Sequence, residues 1–391
     1  MERGLKIGMV GYKFMGKAHS YAYRALPIIF PNYPAPVMQI ICGRNPLDLE
    51  EARTNWDWRL ATTDWNDVVQ RDDVDVVDIC TPTDTHEAIA VAAMEQGKHV
   101  FCEKPLGLSE SAARHMERVA QLTGVTHMIG FNYRFAPAVL LAKRLVEQQR
   151  LGRIYHFRAQ FLQDWIVDPD FPLVWRLDRT IAGSGALGDL GSHLIDLAHF
   201  LIGDIASVTG VSKTFVSQRP LASKMAGLGG QSESSQQKGP VTVDDATVFL
   251  VQFVNGALGT FEATRFALGH RSTNFFEING SAGSVRFDFE RMNELSVYFQ
   301  DDADDVQGFR RVLVTDPPHP YGGRWWPAGH GLGYDHTLVH ELAEFVSAIE
   351  EGRSAHPNFT DGVKCQVVME AVETSCQTGR WVTVDYGLSG E

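Results

Sequence analysis

Leu5-Lys6-Ile7-Gly8-Met9-Val10-Gly11-Tyr12-Lys13-Phe14-Met15-Gly16 decides how the first third of the chain folds. The run to Val10 reads as a short buried strand, and the turn from Gly11 to Gly16 opens a helix that continues through Tyr21 and Tyr23. Strand, glycine turn and helix in this order match the dinucleotide-binding fingerprint at its first and third glycines. Lys13 takes the second place, where backbone ordinarily approaches the pyrophosphate. It gives up that close approach but sets a cation beside a helix N-terminus, whose N–H groups and dipole already favour an anion. Gly11, Lys13, Phe14, Met15 and Gly16 are therefore candidate cofactor contacts, with a simple tight turn as the competing reading.

A second strand, Val37-Met38-Gln39-Ile40-Ile41-Cys42, follows a loop carrying Pro27, Pro31, Pro34 and Pro36, and ends in Gly43-Arg44-Asn45. An acidic side chain at this strand end would take the 2′-hydroxyl of NAD, whereas an arginine accommodates the 2′-phosphate of NADP. Gly43, Arg44 and Asn45 supply no acid, so the choice between the two nucleotides stays open. Val74 to Cys80 forms a third β-rich run, ending in Thr81-Pro82-Thr83-Asp84-Thr85-His86. An alanine-rich helix (Ala88 to Ala93) then leads to Lys98-His99-Val100-Phe101 and Cys102-Glu103-Lys104-Pro105. Such alternation predicts an α/β fold with a parallel, doubly wound sheet.

From Ile154 the pattern changes. Residues Ile154 to Phe161, Ala246 to Phe253, Ala257 to Ala263, Phe275 to Ile278, Val285 to Phe289 and Leu295 to Phe299 alternate apolar and polar side chains, which predicts one large, mainly antiparallel sheet. Ser217 to Pro240, rich in Gly, Ser and Gln, reads as a mobile excursion with no chemistry, and Asp301-Asp302-Ala303-Asp304-Asp305 as a solvated loop. Trp325 and Trp326, in the Gly/Pro-rich run 317–327, would be costly to leave in water and point to a pocket or an interface. Two closing helices follow, one carrying Leu338, Leu342, Phe345, Val346 and Ile349, the other running from Thr360 or Asp361 to Cys376.

With 391 residues, 44% of them hydrophobic and 21% charged, the chain has the size of two globular domains. A net charge of −13 without a basic cluster speaks against nucleic acid and membrane surfaces as partners. Met1-Glu2-Arg3-Gly4 enters the first strand directly and no apolar run reaches transmembrane length, so a cytoplasmic location is expected. Cys42, Cys80, Cys102, Cys365 and Cys376 are scattered and odd in number, which argues against a disulfide framework or a zinc site.

The Thr81-Pro82 loop, Glu103-Lys104-Pro105 and the Asp-x-x-x-His within Gly185-Ala186-Leu187-Gly188-Asp189-Leu190-Gly191-Ser192-His193 resemble the Gfo/Idh/MocA family of sugar and polyol dehydrogenases, over essentially the whole chain. Within it, Leu162 to Trp165, Trp175-Arg176 and Ala182 to Asp189 look most like levoglucosan dehydrogenases, while Phe287 to Leu295 is similar to the inositol and L-glucose dehydrogenases. The resemblance implies an N-terminal Rossmann domain over 1–130 and a C-terminal substrate-binding α+β domain over 131–391, whose closing helices pack near the first. It further implies NAD(P) as cofactor and a neutral sugar, anhydrosugar or inositol as substrate. The broad exposed face expected of the second sheet suggests a homo-oligomer, dimer or tetramer.

Asp189 and His193 lie four apart among Leu190, Leu194, Leu197, Phe200 and Leu201, so on a helix they share a face. By spacing alone they read as a surface Asp–His pair; the resemblance instead places both beside Lys104 at the nicotinamide. Alcohol oxidation needs a hydride acceptor, a proton acceptor and a cation for developing alkoxide charge. The roles implied are His193 as general base, Lys104 hydrogen-bonding the reacting oxygen, and Asp189 orienting substrate or base, with a cis bond at Lys104-Pro105. Thr81, Pro82, Thr83, His86, Glu103 and Asn132 join the cofactor contacts, although His86 could equally cap or pack and Glu103 could merely pair with Lys104. Tyr133, Gln163, Asp164, Trp165, Trp175, Arg176 and His336 complete the substrate set with Lys104, Asp189 and His193. A tryptophan there could stack on a sugar or belong to the core, and Arg176 could take an acidic sugar instead. His336 and His340, four apart, lack the order of a zinc-binding helix, so no metal is expected. Three rival readings remain: an NAD-dependent glycoside hydrolase that retains its cofactor, a nucleotide-binding regulator without catalysis, and an aldehyde or ketone reductase that runs the same chemistry backwards.

Overall fold

The structure, a computed structural model, describes residues 4–221, 224–226, 229–231 and 237–387. They form two compact units, one of Met1–Asn132, Thr180–Gly183 and Tyr334–Gln366, the other of Tyr133–Arg179, Ser184–Gly333 and Val367–Glu391.

In the first unit the chain alternates strand and helix: β1 (Lys6–Val10), α1 (Phe14–Ile29), β2 (Val37–Cys42), α2 (Pro46–Trp56), β3 (Leu60–Thr62), α3 (Trp65–Val69), β4 (Val76–Ile79), α4 (His86–Glu95), β5 (His99–Cys102), α5 (Glu110–Thr123) and β6 (His127–Ile129). The strands pair in parallel in the order β3-β2-β1-β4-β5-β6, the arrangement of a dinucleotide-binding sheet. Val76, Val77, Phe101 and Ile7 are buried, as strands covered on both faces require.

The second unit contains α6 (Pro137–Glu147), β7 (Ile154–Leu162), α8 (Ser192–Leu201), β8 (Ile205–Lys213), β9 (Gln218–Pro220), β10 (Lys224–Ala226), β11 (Gly229–Gln231), β12 (Lys238–Pro240), β13 (Ala246–Phe253), β14 (Leu258–Thr264), β15 (Thr273–Gly280), β16 (Gly283–Asp288), β17 (Glu294–Phe299), β18 (Arg310–Leu313) and β19 (Val382–Thr383); the short α7 (Arg179–Ala182) precedes α8. Nine strands make one sheet, β18-β17-β16-β15-β7-β14-β13-β8-β19. All its pairs are antiparallel except β7 with β14. Along β13, burial alternates residue by residue, and Phe249 stacks on Phe261 of β14 with ring centroids 4.6 Å apart. The closing helices are α9 (Tyr334–Glu351) and α10 (Phe359–Thr378).

Two expectations change. Phe289 ends no strand but begins a 3-10 turn capped by Asp288. Residues 217–240 are not wholly an excursion: β9 pairs with β12 and β10 with β11, while 222, 223, 227, 228 and 232–236 lie outside the described residues, as do 1–3. Arg219 explains the order, because its fully buried guanidinium donates to the carbonyls of Ile166, Asp168 and Phe171. Trp326 is 55% exposed, just after a 3-10 turn at Gly322–Arg324.

Candidate active site

Gly11 has φ +107°, and a Cβ there would lie 2.6 Å from the Cys80 carbonyl oxygen. A Cβ on Gly16 would lie 2.0 Å from the carbonyl oxygen of Gly11, so α1 leaves β1 at a separation only glycine allows. No side chain caps the start of α1 and its first turn holds no acid. A backbone cradle in front of an uncapped helix N-terminus fits the pyrophosphate of a dinucleotide. Lys13 is less available than its sequence position suggests, since its Nζ donates to Asp48 at 2.8 Å and sits 4.6 Å above the Tyr12 ring. Burial opposes its charge, but Asp48 and Tyr12 outweigh that and raise its pKa. Phe14 stacks near Tyr334, centroids 6.2 Å apart, and the Tyr334 hydroxyl reaches the Met15 sulfur at 3.6 Å.

At the end of β2, the Tyr12 ring occupies the space a side chain on Gly43 would need, 1.9 Å from its Cβ position. The Asn45 side-chain oxygen accepts from the N–H groups of Leu47 and Asp48, capping α2. That commits its oxygen to the helix, and leaves exposed Arg44 as the cation of this turn.

Beyond β4, the Thr85 hydroxyl donates to that of Thr81 at 2.7 Å, Pro82 leads into a 3-10 turn and Thr83 is buried. His86 is buried as well, with Nε2 3.0 Å from the Thr81 carbonyl oxygen and Nδ1 3.0 Å from that of Pro105. It ties this loop to the Lys104-Pro105 turn, whose peptide bond is cis, and burial lowers its pKa despite the carbonyls. Glu103 turns inward: Oε1 lies 3.2 Å from Nε2 of His19, and Oε2 accepts from the Lys104 backbone N–H at 3.2 Å. This placement favours the pairing reading of Glu103 over a ribose contact. Asn132 is buried, and its side chain donates to the Thr337 hydroxyl on α9 at 2.8 Å.

In the second unit, Asp189 lies in a π-helical turn, Leu187–Gly191, that runs directly into α8. Wide turns of this kind are frequent at functional sites. The surface-pair reading fails, because His193 is 6% exposed and packs edge-on to Tyr133 at 4.6 Å. Tyr133 also meets Phe161 and Phe289 edge-on, so it backs the imidazole rather than standing as open wall. Next to it, Arg134 fixes α8 by donating to the buried Asp196 carboxylate at 2.6 Å. The approach to Asp189 is held by Asp244, whose carboxylate accepts from the N–H groups of Gly185 and Leu187 at 2.7 and 2.9 Å. Arg265, fully buried, donates to the Asp244 carbonyl at 2.9 Å and brings Nη1 to 3.8 Å from Asp189.

Gln163 accepts from the Trp165 indole N–H at 2.8 Å, and Trp165 packs against Ile166, Val174, Leu177, Val241 and Val243. The Asp164 carboxylate accepts from Arg271 at 3.2 Å and from the Gly269 N–H, so it is engaged by protein groups. Trp175 and Arg176 stack on one another, the guanidinium 4.4 Å from the ring centroid. His336, on α9 of the first unit, pairs with Asp335 at 3.1 Å, whose pKa this contact lowers. His340 is buried edge-on to Phe30, facing the core rather than a shared ligand. None of the five cysteines is in a disulfide. Among the described residues, no helix is long and apolar enough to cross a membrane.

His19, Asp78, Asp244 and Arg265 went unnoticed in the sequence. Asp78 had a signal, since an acid amid Val76-Val77 and Ile79 of a buried strand needs a partner. Arg265 follows a strand end and carries no comparable mark.

Residues 5–131 match the model of an oxidoreductase family with an NAD-binding Rossmann fold, and residues 139–286 match the Gfo/Idh/MocA C-terminal domain. A levoglucosan dehydrogenase of Pseudarthrobacter phenanthrenivorans is 43% identical over 385 residues, 98% of either chain. The chain belongs to the Gfo/Idh/MocA family of oxidoreductases. Among solved structures, an oxidoreductase domain protein from Kribbella flavida is 48% identical with a TM-score of 0.93, covering 98% of this chain and 100% of that one. A levoglucosan dehydrogenase in complex with NADH and levoglucosan is 42% identical, also with a TM-score of 0.93 and the same coverage.

Proposed function

We propose that this oxidoreductase is an NAD(P)-dependent dehydrogenase that oxidises a secondary hydroxyl of a neutral sugar ring to a ketone, with levoglucosan the leading substrate. The observation that carries the reading is the likeness, over 98% of the chain, to a protein solved with NADH and levoglucosan. The nucleotide, held at Gly11, Gly16 and the start of α1, would supply the hydride acceptor. His193 takes the hydroxyl proton, an imidazole being suited to the task near neutral pH. Lys104 stabilises the negative charge growing on the reacting oxygen, and Asp189 orients the substrate or the base. Trp175, stiffened by Arg176, offers an apolar face for the ring.

Spectrophotometric assay of NAD and NADP reduction against levoglucosan, inositols, neutral hexoses and their phosphorylated and uronic-acid counterparts tests the proposal. Net NADH or NADPH formation with a neutral ring, lost in Lys104→Met while NADH binding persists, is the expected result. Glycoside cleavage without net reduction, preference for an anionic sugar, or undiminished turnover in Lys104→Met would each overturn it.

A further inference from the structure

His19 belongs to none of the roles above, yet it is wholly buried in α1, between two carboxylates. Its Nδ1 is 2.9 Å from Oδ2 and 3.1 Å from Oδ1 of Asp78, itself fully buried on β4. On the other edge of the ring, Nε2 forms an ion pair with Glu103 at 3.2 Å. The same Glu103 carboxylate accepts the backbone N–H of Lys104. It is pressed from the far side by Gly130, where a Cβ would lie 2.8 Å from Oε1. Phe101 closes the ring's face edge-on, centroids 5.2 Å apart.

We propose that His19 is a positioning residue for Lys104, acting through Glu103 and anchored by Asp78. The proposal rests on the reading of Lys104 as the residue that stabilises the reacting oxygen.

The charge follows from the contacts. Nδ1 faces both oxygens of the Asp78 carboxylate and carries the hydrogen of that contact, whereas Nε2 lies 3.2 Å from Glu103 Oε1 without the alignment of a hydrogen bond, so its link to Glu103 is one of charge and depends on an imidazolium. On this proposal His19 holds a proton on each nitrogen. Burial works against this cation, but Asp78 outweighs burial, and the pKa stands well above its ordinary value. The other titratable groups around it are Cys80, whose sulfur lies 3.4 Å from Nδ1 and whose thiol pKa burial drives up, and Tyr23, whose pKa burial and Asp78 raise. Neither supplies positive charge. Without the imidazolium, Asp78 and Glu103 would be two buried carboxylates left uncompensated, and Glu103 would leave the Lys104 N–H to find water. His19 thus fixes the backbone from which the Lys104 side chain projects, and a displacement of about 1 Å there is enough to cost about a hundredfold in rate.

His19, Asp78 and Cys80 also gather their ligand atoms within 4.8 Å, so a divalent cation is the competing occupant of this cluster. The test combines spectroscopy and kinetics on the full-length enzyme. Nitrogen-15 histidine spectra at pH 8 should show one ring protonated on both nitrogens, absent in His19→Asn. His19→Gln and Asp78→Asn should lower kcat for sugar oxidation by about ten- to a hundredfold, with NADH affinity unchanged. A neutral His19 ring in the wild type, stoichiometric zinc in the purified enzyme, or undiminished kcat in His19→Gln alongside an inactive Lys104→Met would overturn the proposal. Parallel loss of NADH binding would reduce His19 to a folding residue and overturn it too. Should the variants fail to fold, the wild-type spectrum and metal content still decide. Full turnover in Lys104→Met would instead sink the catalytic reading and leave the spectroscopic result standing.

Discussion

Acid should destabilise the first unit through His127, the first residue of β6. The residue is half-buried, its ring packs 4.6 Å from Phe359, and its Nδ1 accepts the Phe359 N–H at 3.2 Å. Burial first, then the neighbouring His356, hold its pKa down to about 4, with Asp361 pulling weakly the other way. In the unfolded chain a histidine titrates near 6.5, so between about pH 6.5 and 4 the unfolded state binds the extra proton and the folded state does not. Stability is therefore complete above about pH 6.5 and declines as pH falls, levelling off below about pH 4. At about 1.36 kcal/mol per pH unit, the loss approaches roughly 3 kcal/mol at the acid limit and is roughly 2 kcal/mol at pH 5. The variant His127→Asn keeps an oxygen acceptor for the Phe359 N–H but cannot titrate. Urea denaturation of both proteins at pH 7.5 and pH 5.0 isolates the histidine, because other titrating groups cancel in the comparison. The wild type should lose about 2 kcal/mol more than the variant, equivalent to roughly 4–8 °C in melting temperature for a unit of this size. Equal losses in the two proteins would show that His127 protonates in place, and the argument from burial would be wrong.

Two further outcomes are expected. Arg44→Ala should weaken NADPH by roughly 1.5–3 kcal/mol and NADH hardly at all, because only the former offers a 2′-phosphate to the guanidinium; fluorescence titration with both nucleotides measures this, and equal weakening would make Arg44 structural. Arg265→Met should remove one of the two donors to the Asp244 carbonyl, leaving the Ala186 N–H, at a cost of roughly 0.5–1.5 kcal/mol of stability, and should lower kcat/KM for the sugar while NADH affinity holds; an unchanged kcat/KM would detach Arg265 from Asp189.

Periodicity and turn chemistry carried the fold a long way. The parallel sheet was legible because the glycine turn at Gly11 and Gly16 was followed by further alternating strands and helices, and the alternation in β13 announced a sheet with one buried face. Less visible were the π-helical turn at Asp189, which differs from an α-helix only in backbone hydrogen bonding, and the single parallel pair β7–β14, which pattern alone cannot distinguish from an antiparallel one. Side-chain commitments were hidden for another reason. Whether Asn45 caps a helix, Asp164 meets Arg271 or Lys13 meets Asp48 depends on partners that only folding brings near, so composition at these positions suggested ligand contacts where the structure finds protein ones.

The turn at Lys104 is flanked by two buried histidines whose pKa values move in opposite directions. His86 faces two carbonyl oxygens, and burial keeps it neutral, so it can donate from only one nitrogen at a time and its second contact stays weak. His19 faces Asp78, which with Cys80 overcomes the same burial and raises its pKa well above the ordinary value, while Glu103 lies at its other edge. The difference lies in the partners, dipoles in one case and full charges in the other, because a neutral carbonyl cannot offset the loss of hydration that a carboxylate can. His86 secures Pro105 through the backbone alone, and a neutral donor of similar size should serve in its place. His19 secures Glu103 by charge, and no neutral residue can do the same while both carboxylates remain. Of the two braces, the one acting on Lys104 through Glu103 is thus the one that mutation can least replace, which is why kinetic sensitivity at residue 19 should exceed that at residue 86.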